Sequence, residues 1–304
     1  MKIPTRDDVL EASKRIEGLV KRTPVMTSRA INAIVGADLY FKCEHLQSTG
    51  AFKFRGASHV LALMTDEEKK RGVITHSSGN HAQALALAAH RAGVAATIVM
   101  PEGSNPLKKA ATEGYGAKVI ECINTQEERE RTCREEMERT GMLLVHPYDD
   151  WRIISGAGTA ALELLEDVPD LDAVIAPVGG GGLLAGTSLA TIEQPVYAAE
   201  PAGADDAHRG FKSGIRVTEQ TPDTVSDGLR TCVGELNFEI IKERVKDIGL
   251  ATDAETLDAM RLVHTRMKQL IEPSSAVPLA CLLNGSLPAE GKIGIIVSGG
   301  NVSL

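Results

Sequence analysis

LDAVIAPVGGGGLLAGTSLATI, residues 171–192, decides how the rest of the chain is read. An apolar run with the character of a buried strand enters four consecutive glycines and leaves as an apolar helix start. Glycines at such a junction let the backbone turn sharply and approach a ligand closely. Their N–H groups can then converge on an anion beside a helix N-terminus. Four in a row give up too much chain entropy for an ordinary connection. No lysine followed by serine or threonine closes the loop, so it is not a Walker loop.

Outward from that loop, the same strand-then-helix alternation repeats. VKRTPVMTS and ADLYFKCE read as extended, and KFRGASHVLALM as a helix. GVITHSS leads into GNHAQALALAAHRAG, VAATIVMP into NPLKKAATEGYG, and AKVIECI into TQEERERTCREEMERTG. QPVYAAE and KIGIIVS read as later strands, and Asp253 to Ile271 as a long amphipathic segment. Repeated units of this kind predict an α/β fold with parallel sheets. The 304 residues exceed what one core usually serves, so two units are expected. The regular stretch 72–147 reads as a small domain inserted into a large one made of 1–71 and 148–304. Four glycine-containing clusters punctuate the chain: SSGNH (77–81), SGAG (155–158), GGGG (179–182) and SGGN (298–301).

Bulk properties exclude several classes. A formal charge of −8 argues against nucleic-acid or anionic-membrane partners, which reward a basic face. The N-terminus has no apolar signal region, and no run approaches the length of a membrane span. The cysteines Cys43, Cys122, Cys133, Cys232 and Cys281 are odd in number and scattered without a CxxC. They predict reduced thiols in a cytoplasmic protein rather than a disulfide frame or zinc site.

STGAFKFRGA, residues 48–57, holds Lys53 between Phe52 and Phe54, two of only five phenylalanines in the chain. Apolar surroundings disfavour the ammonium form, leaving an amine partly neutral and nucleophilic, able to condense with an aldehyde. Joined to a loop built for one phosphate, this lysine points to pyridoxal 5′-phosphate. A competing reading is a dinucleotide. Gly180, Gly182 and Ala185 satisfy GxGxxA, and Glu200 stands 20 residues after Gly180 like a ribose-binding acid, as in an NAD-dependent oxidoreductase. That reading leaves Lys53, SSGNH and SGGN unexplained. A non-catalytic binding module is a third alternative.

RTPV, STGAFKFRGA, THSSGNHAQALALAA, SGAGT, PVGGGGLLAG, AAEPAGADD, SDGLRT, LIEPSSAV and SGGNV run through the chain in order. In these motifs it resembles the serine racemase and serine/threonine dehydratase family of fold-type II pyridoxal-phosphate enzymes. The resemblance implies a tryptophan-synthase-β-like fold, two open twisted-sheet domains with the cofactor between them. Lys53 would hold the cofactor covalently, with Phe52 near its ring, Asn80 on the ring hydroxyl, Gly179, Gly180, Gly181 and Gly182 around the phosphate, and Ser298 at the pyridine nitrogen. Ser77, Ser78 and His81 would line the substrate carboxylate, with Ser78 on the face opposite Lys53. A hydroxyl at the ring nitrogen does not force protonation there, which favours β-elimination over transamination. The implied activity is dehydration and deamination of L-threonine or L-serine to a 2-keto acid and ammonia. Ser78 could add racemisation by reprotonating the opposite face, or it and Ser77 could simply cap the following helix.

The resemblance further implies a divalent cation (Mg²⁺ or Mn²⁺, or Ca²⁺) on Glu200, Asp206 and the Ala204 carbonyl, all hard oxygen ligands. Arg129 lies in a charged helix whose plainest explanation is a solvated face. In relatives an arginine there can meet a second carboxylate, which would make 3-hydroxyaspartate a substrate. Tyr148 and Trp151 in HPYDDWRI depart from the racemase pattern and would reshape the pocket. The family implies a homodimer, and no C-terminal regulatory domain is expected after Leu304.

Overall fold

The alternation builds two sheets in this computed structural model, which describes residues 2–302. The chain opens with α1 (Arg6–Ile16), β1 (Val25–Met26), α2 (Arg29–Val35) and β2 (Asp38–Cys43). Two 3₁₀ turns lead to α3 (Lys53–Leu63) and α4 (Asp66–Arg71). Next come β3 (Val73–His76), α5 (Asn80–Ala92), β4 (Ala96–Pro101), α6 (Pro106–Gly114), β5 (Lys118–Cys122), α7 (Gln126–Thr140) and β6 (Leu143–Leu144). The remainder holds α8 (Trp151–Asp167), β7 (Ala173–Pro177), α9 (Gly182–Ala190), β8 (Val196–Pro201) and α10 (Asp206–Ser213). It closes with α11 (Glu235–Arg244), β9 (Val245–Ala251), α12 (Asp253–Met267), α13 (Pro273–Leu283) and β10 (Lys292–Val297).

The larger sheet has the order β1-β2-β10-β7-β8-β9 and is parallel except for the antiparallel β1–β2 pair. The smaller one, β5-β4-β3-β6, is wholly parallel. Strands β4, β7 and β10 read ATIVMP, AVIAP and KIGIIV because helices cover both sheet faces and leave no side for polar residues. Two apolar clusters flank the large sheet, one under α8, α9 and α11, the other under α12 and α13. No helix among the described residues is long and apolar enough to cross a membrane.

Several expectations give way. SGAG is no turn; it lies inside α8, where its glycines permit helix contact. A methyl on Gly156 would meet Gly56 Cα at 2.7 Å, and one on Gly186 of α9 would meet Gly158 N at 2.6 Å. The glycines therefore let α8 approach α3 and α9 almost backbone to backbone. The amphipathic segment from Asp253 stops at Met267, because Lys268 turns left-handed with φ 58°. Helices α2, α8 and α13 and strand β9 left no clear signal: α13 carries Pro278 in its interior, and β9 interrupts its apolar pattern with Lys246 and Asp247.

The lysine-bearing helix α3 is held from beneath. Arg55, without solvent exposure, donates from Nε to Glu44 at 2.7 Å and from Nη1 to Glu163 at 2.7 Å. Its Nη2 reaches both carboxylates at 2.8 Å. Lys42 Nζ donates to Glu163 and to the Thr23 carbonyl, each at 2.6 Å. Two cations and two carboxylates thus tie α3 to β2 and α8. Replacing Arg55 with Leu leaves Glu44 buried without a cation and Glu163 with Lys42 alone, and a loss of about 3–5 kcal/mol in unfolding free energy is expected by urea titration. A midpoint equal to wild type would show that the network does not hold the helix.

Candidate active site

The turn before Lys53 is shaped by backbone that few residues adopt. Thr49 has φ 61°, outlying for a β-branched residue, and Gly50 has φ 71°. Asn301 Nδ2 holds the Thr49 carbonyl at 2.7 Å, while a methyl on Gly50 would strike Asn301 Oδ1 at 2.5 Å. Beyond the turn, Ala51 bridges Gly299, and Phe52 N–H donates to the Ser298 carbonyl at 2.9 Å. The SGGN strand end and the STGAFK turn therefore form one unit, though 252 residues separate Thr49 from Asn301.

Lys53 projects from the first turn of α3, with Nζ donating to the Pro147 carbonyl at 2.7 Å. The Phe52 ring lies 5.1 Å and the Tyr148 ring 6.0 Å from Nζ. Phe54 does not join them; it points into the core of the smaller sheet, with Arg91 5.0 Å above its ring. Burial pushes the Lys53 amine down to about 8, against a smaller upward pull from Glu272. At pH 7 about a tenth of it is neutral, roughly a hundred-fold or more above an ordinary lysine.

Tyr148 also meets the glycine loop. A methyl on Gly180 would sit 2.3 Å from the Tyr148 ring, one on Gly179 2.8 Å from Leu229, and one on Gly181 2.8 Å from Asn237. Asn237 Nδ2 holds the loop by donating to the Gly180 carbonyl at 2.7 Å and to the Tyr148 carbonyl at 3.1 Å. The buried N–H groups of Gly179, Gly180 and Gly181 have no protein acceptor among the described residues, and α9 has no side-chain cap. Buried donors without acceptors at a helix start are what a phosphate satisfies. The residues present fit the cofactor.

The remaining expected groups surround the same cleft. Ser77, Ser78 and Asn80 are half-buried between β3 and α5. Neither serine caps the helix: Gly79 is the N-cap, and Ser77 Oγ accepts from the Gly79 N–H at 3.3 Å. His81 is buried against the Val145 carbonyl at 3.2 Å; burial, then the Lys53 charge, holds its pKa well below the usual value. Asn80 Nδ2 donates to both oxygens of Glu272. The buried Ser298 hydroxyl is 3.0 Å from Ser275 Oγ. Trp151 lies outside the cleft, edge-on to His59 with ring centroids 6.3 Å apart. Glu272, Ser275, Asn237 and Asn301 carried no role in the sequence reading; LIEPSSAV and SGGN contain three of them, but only folding shows which side chains face the cleft.

Arg129 stands on α7 with Nη2 donating to Asn124 at 2.8 Å and a buried Nε without a partner. Its neighbours Arg131 and Arg139 are instead exposed and paired with glutamates. A cavity of about 300 Å³ under the same helix is lined by His76, Glu130, Cys133, Arg134 and His146, among others, and not by Arg129. Burial lowers His146 to about 4, so this imidazole is neutral.

Glu200 and Asp206 lie apart from the cleft, both buried. Glu200 accepts from the Ala207 and His208 N–H groups at 2.8 Å; Asp206 accepts from Val233 N–H at 2.9 Å and Gln220 at 2.6 Å. Burial, then the Asp206 charge, raises Glu200 well above the carboxylate range; burial raises Asp206 to about 6. Two buried carboxylates that oppose each other's ionisation, with the buried Ala204 on the turn before Asp206, suit a divalent cation. The dinucleotide alternative falls here. Glu200 faces the start of α10 rather than a ribose, and the sheet lacks the dinucleotide strand order.

Residues 16–299 match the family "Pyridoxal-phosphate dependent enzyme". The serine racemase of Dictyostelium discoideum is 48% identical over 309 residues, covering 99% of this chain and 95% of that protein. The beta-hydroxyaspartate dehydratase of Paracoccus denitrificans is 45% identical, covering 100% and 98%. A solved threonine deaminase from T.th. is similar with a TM-score of 0.93 and 42% identity, covering 99% of each chain. Lys53→Ala is expected to abolish the visible absorbance of bound pyridoxal phosphate. Uptake of the cofactor by wild-type apoprotein should accelerate as pH rises through about 8; a lysine titrating near 10.5 would contradict the site.

Proposed function

Because the chain belongs to the pyridoxal-phosphate dependent enzymes, we propose that it eliminates water from a β-hydroxy amino acid, L-threonine or L-serine, and that the released enamine tautomerises and takes up one water, giving ammonia and a 2-keto acid. The observation that carries this reading is the placement of Tyr148. It meets both the depressed Lys53 amine and a loop whose buried N–H groups have no acceptor among the described residues. Pyridoxal phosphate, when bound, supplies the electron sink for a carbanion at Cα.

The chain's residues do the rest. Gly179 to Gly182 hold the phosphate, Asn80 the ring hydroxyl and Ser298 the ring nitrogen, while Phe52 and Tyr148 exclude water. Lys53 removes the Cα proton, and its pKa of about 8 keeps a useful neutral fraction near physiological pH. Ser77, Ser78 and His81 receive the substrate carboxylate. Ser78 also reprotonates Cα from the opposite face, which supports serine racemisation as a second activity. The unit 72–147 and the rest of the chain form the two sides of the cleft. Five unpaired thiols support a cytoplasmic setting, and the family pattern supports a homodimer.

One observation favours a second substrate, 3-hydroxyaspartate: the unpartnered, buried Nε of Arg129, which no neighbouring arginine of α7 shares. Keto-acid release from L-threonine, L-serine and L-threo-3-hydroxyaspartate, with D-serine followed in parallel, tests both readings. Production of 2-oxobutanoate or pyruvate is expected, and Ser78→Ala should lose D-serine formation. If Arg129 grips a second carboxylate, Arg129→Ala lowers kcat/KM for hydroxyaspartate about 10–100-fold and spares serine. Equal effects on both substrates would return Arg129 to a solvated face, and no keto acid from any of the three would sink the function.

A divalent cation on Glu200, Asp206 and the Ala204 carbonyl completes the reading, supported by their burial and mutual repulsion. With both folded pKa values raised, the metal-free protein is most stable with these groups protonated. Its stability falls as pH rises from the ordinary carboxylate range through about 6. Mg²⁺ should therefore raise the unfolding temperature at pH 8 and lose that effect below about pH 6. An Mg²⁺ effect independent of pH would count against these ligands.

A further inference from the structure

Glu272 is the one carboxylate in the cleft without an assigned task. It occupies the N-cap of α13, yet its side chain makes no cap hydrogen bond. The carboxylate turns instead into the cleft, accepting from Asn80 Nδ2 at 3.1 and 3.0 Å and from Asn301 N–H at 3.2 Å. A methyl on Gly299 would lie 3.0 Å from three of its atoms, so glycine there makes room for it. Among the described residues it pairs with no cation within salt-bridge distance. Lys108 and Asp227, which act on it electrostatically, are paired with each other at 2.7 Å.

The Asn80 amide is held from both ends. Asn301 Nδ2 donates to its Oδ1 at 2.9 Å, while its Nδ2 faces Glu272. One hydrogen of that NH₂ group, shared between the two carboxylate oxygens, satisfies Glu272, and the second remains for another acceptor. We infer that Glu272 is a positioning residue that, with Asn301, fixes the Asn80 amide so that an N–H rather than the C=O is offered to the ring oxygen of the cofactor. A donor at that oxygen stabilises its anionic form, and thus the form of the lysine-bound cofactor that absorbs in the visible. An amide turned the other way stabilises the neutral hydroxyl form, which absorbs in the near ultraviolet. Buried glutamate serves because an acceptor oxygen must face Asn80 where water cannot.

The inference rests on the reading of Asn80 as the ring-hydroxyl contact, and the test separates the two. Absorbance of the holoenzyme is recorded for Glu272→Leu, Glu272→Gln, Asn80→Ala and the Leu–Ala double variant. Glu272→Leu should lower the ratio of visible to near-ultraviolet absorbance about tenfold, the scale of one charge-assisted hydrogen bond. Glu272→Gln, which keeps an oxygen for Asn80, should restore most of it. In the double variant the leucine should add nothing to the effect of Asn80→Ala. The inference is overturned if Gln and Leu behave alike, if neither changes the ratio, or if the two substitutions add. An Asn80→Ala spectrum like wild type would overturn the reading of Asn80 and the inference with it. An altered Asn80→Ala spectrum beside an unaltered Glu272→Leu one overturns the inference alone. Should the leucine variant fail to fold, Asn301→Ala releases the same amide from its other end. A lowered ratio sustains the inference and an unchanged ratio overturns it.

Discussion

The site depends on one buried guanidinium. Arg55 lies two residues beyond Lys53 on the same helix and divides its donors between Glu44 and Glu163, with Lys42 closing the charge balance. Burying four charges is costly, and an apolar core of equal volume could match it in stability. What the network adds is direction. Planar donors and carboxylates fix α3 in rotation and height, whereas apolar packing would tolerate a slide. Since Lys53 stands on the first turn of that helix, the orientation of the reactive amine follows from a charge cluster on its far side.

Above that foundation the cleft combines three kinds of electrostatic imbalance. The Lys53 amine is poorly solvated and pushed toward neutrality. Three glycine N–H groups lack acceptors among the described residues, so the loop is electropositive without carrying a charge. Glu272 is buried with no cation in salt-bridge reach among the described residues and is held by amide donors. Each is unfavourable in isolation, and the amide donors of Asn80 and Asn301 already relieve the third. The Glu200–Asp206 pair is a further imbalance, two carboxyl groups whose burial disfavours their ionised forms.

Helix contact is the second structural constraint. Gly156 and Gly56 let α8 lie against α3, and Gly158 and Gly186 let it lie against α9. The lysine helix and the phosphate-loop helix are thereby referenced to one rod. The segment after His146 completes the arrangement. The Pro147 carbonyl receives Lys53, the Tyr148 ring covers Gly180, and Asp149 accepts from the N–H groups of Glu235 and Asn237 at the start of α11. Three consecutive residues therefore join the amine, the phosphate loop and a third helix.

Sequence alone determined the βα alternation, the glycine loop after β7 and the lysine set against an aromatic ring, because these are written in local composition. Strand periods, consecutive glycines and a lysine beside an aromatic ring need only near neighbours to be recognised. It did not show that SGAG lies inside a helix, it sent Trp151 to the pocket, and it placed both phenylalanines at the lysine. A glycine in a helix contact looks like a glycine in a turn, and the direction of a side chain depends on which face of the element is covered. Only the tertiary structure brought Asn301 to Thr49 and Asn80, Glu272 to Asn80, and Arg55 to Glu163. Those contacts are set by how the two sheets and their helices pack, and hydrogen bonds between residues 108 to 252 positions apart leave no period in the sequence.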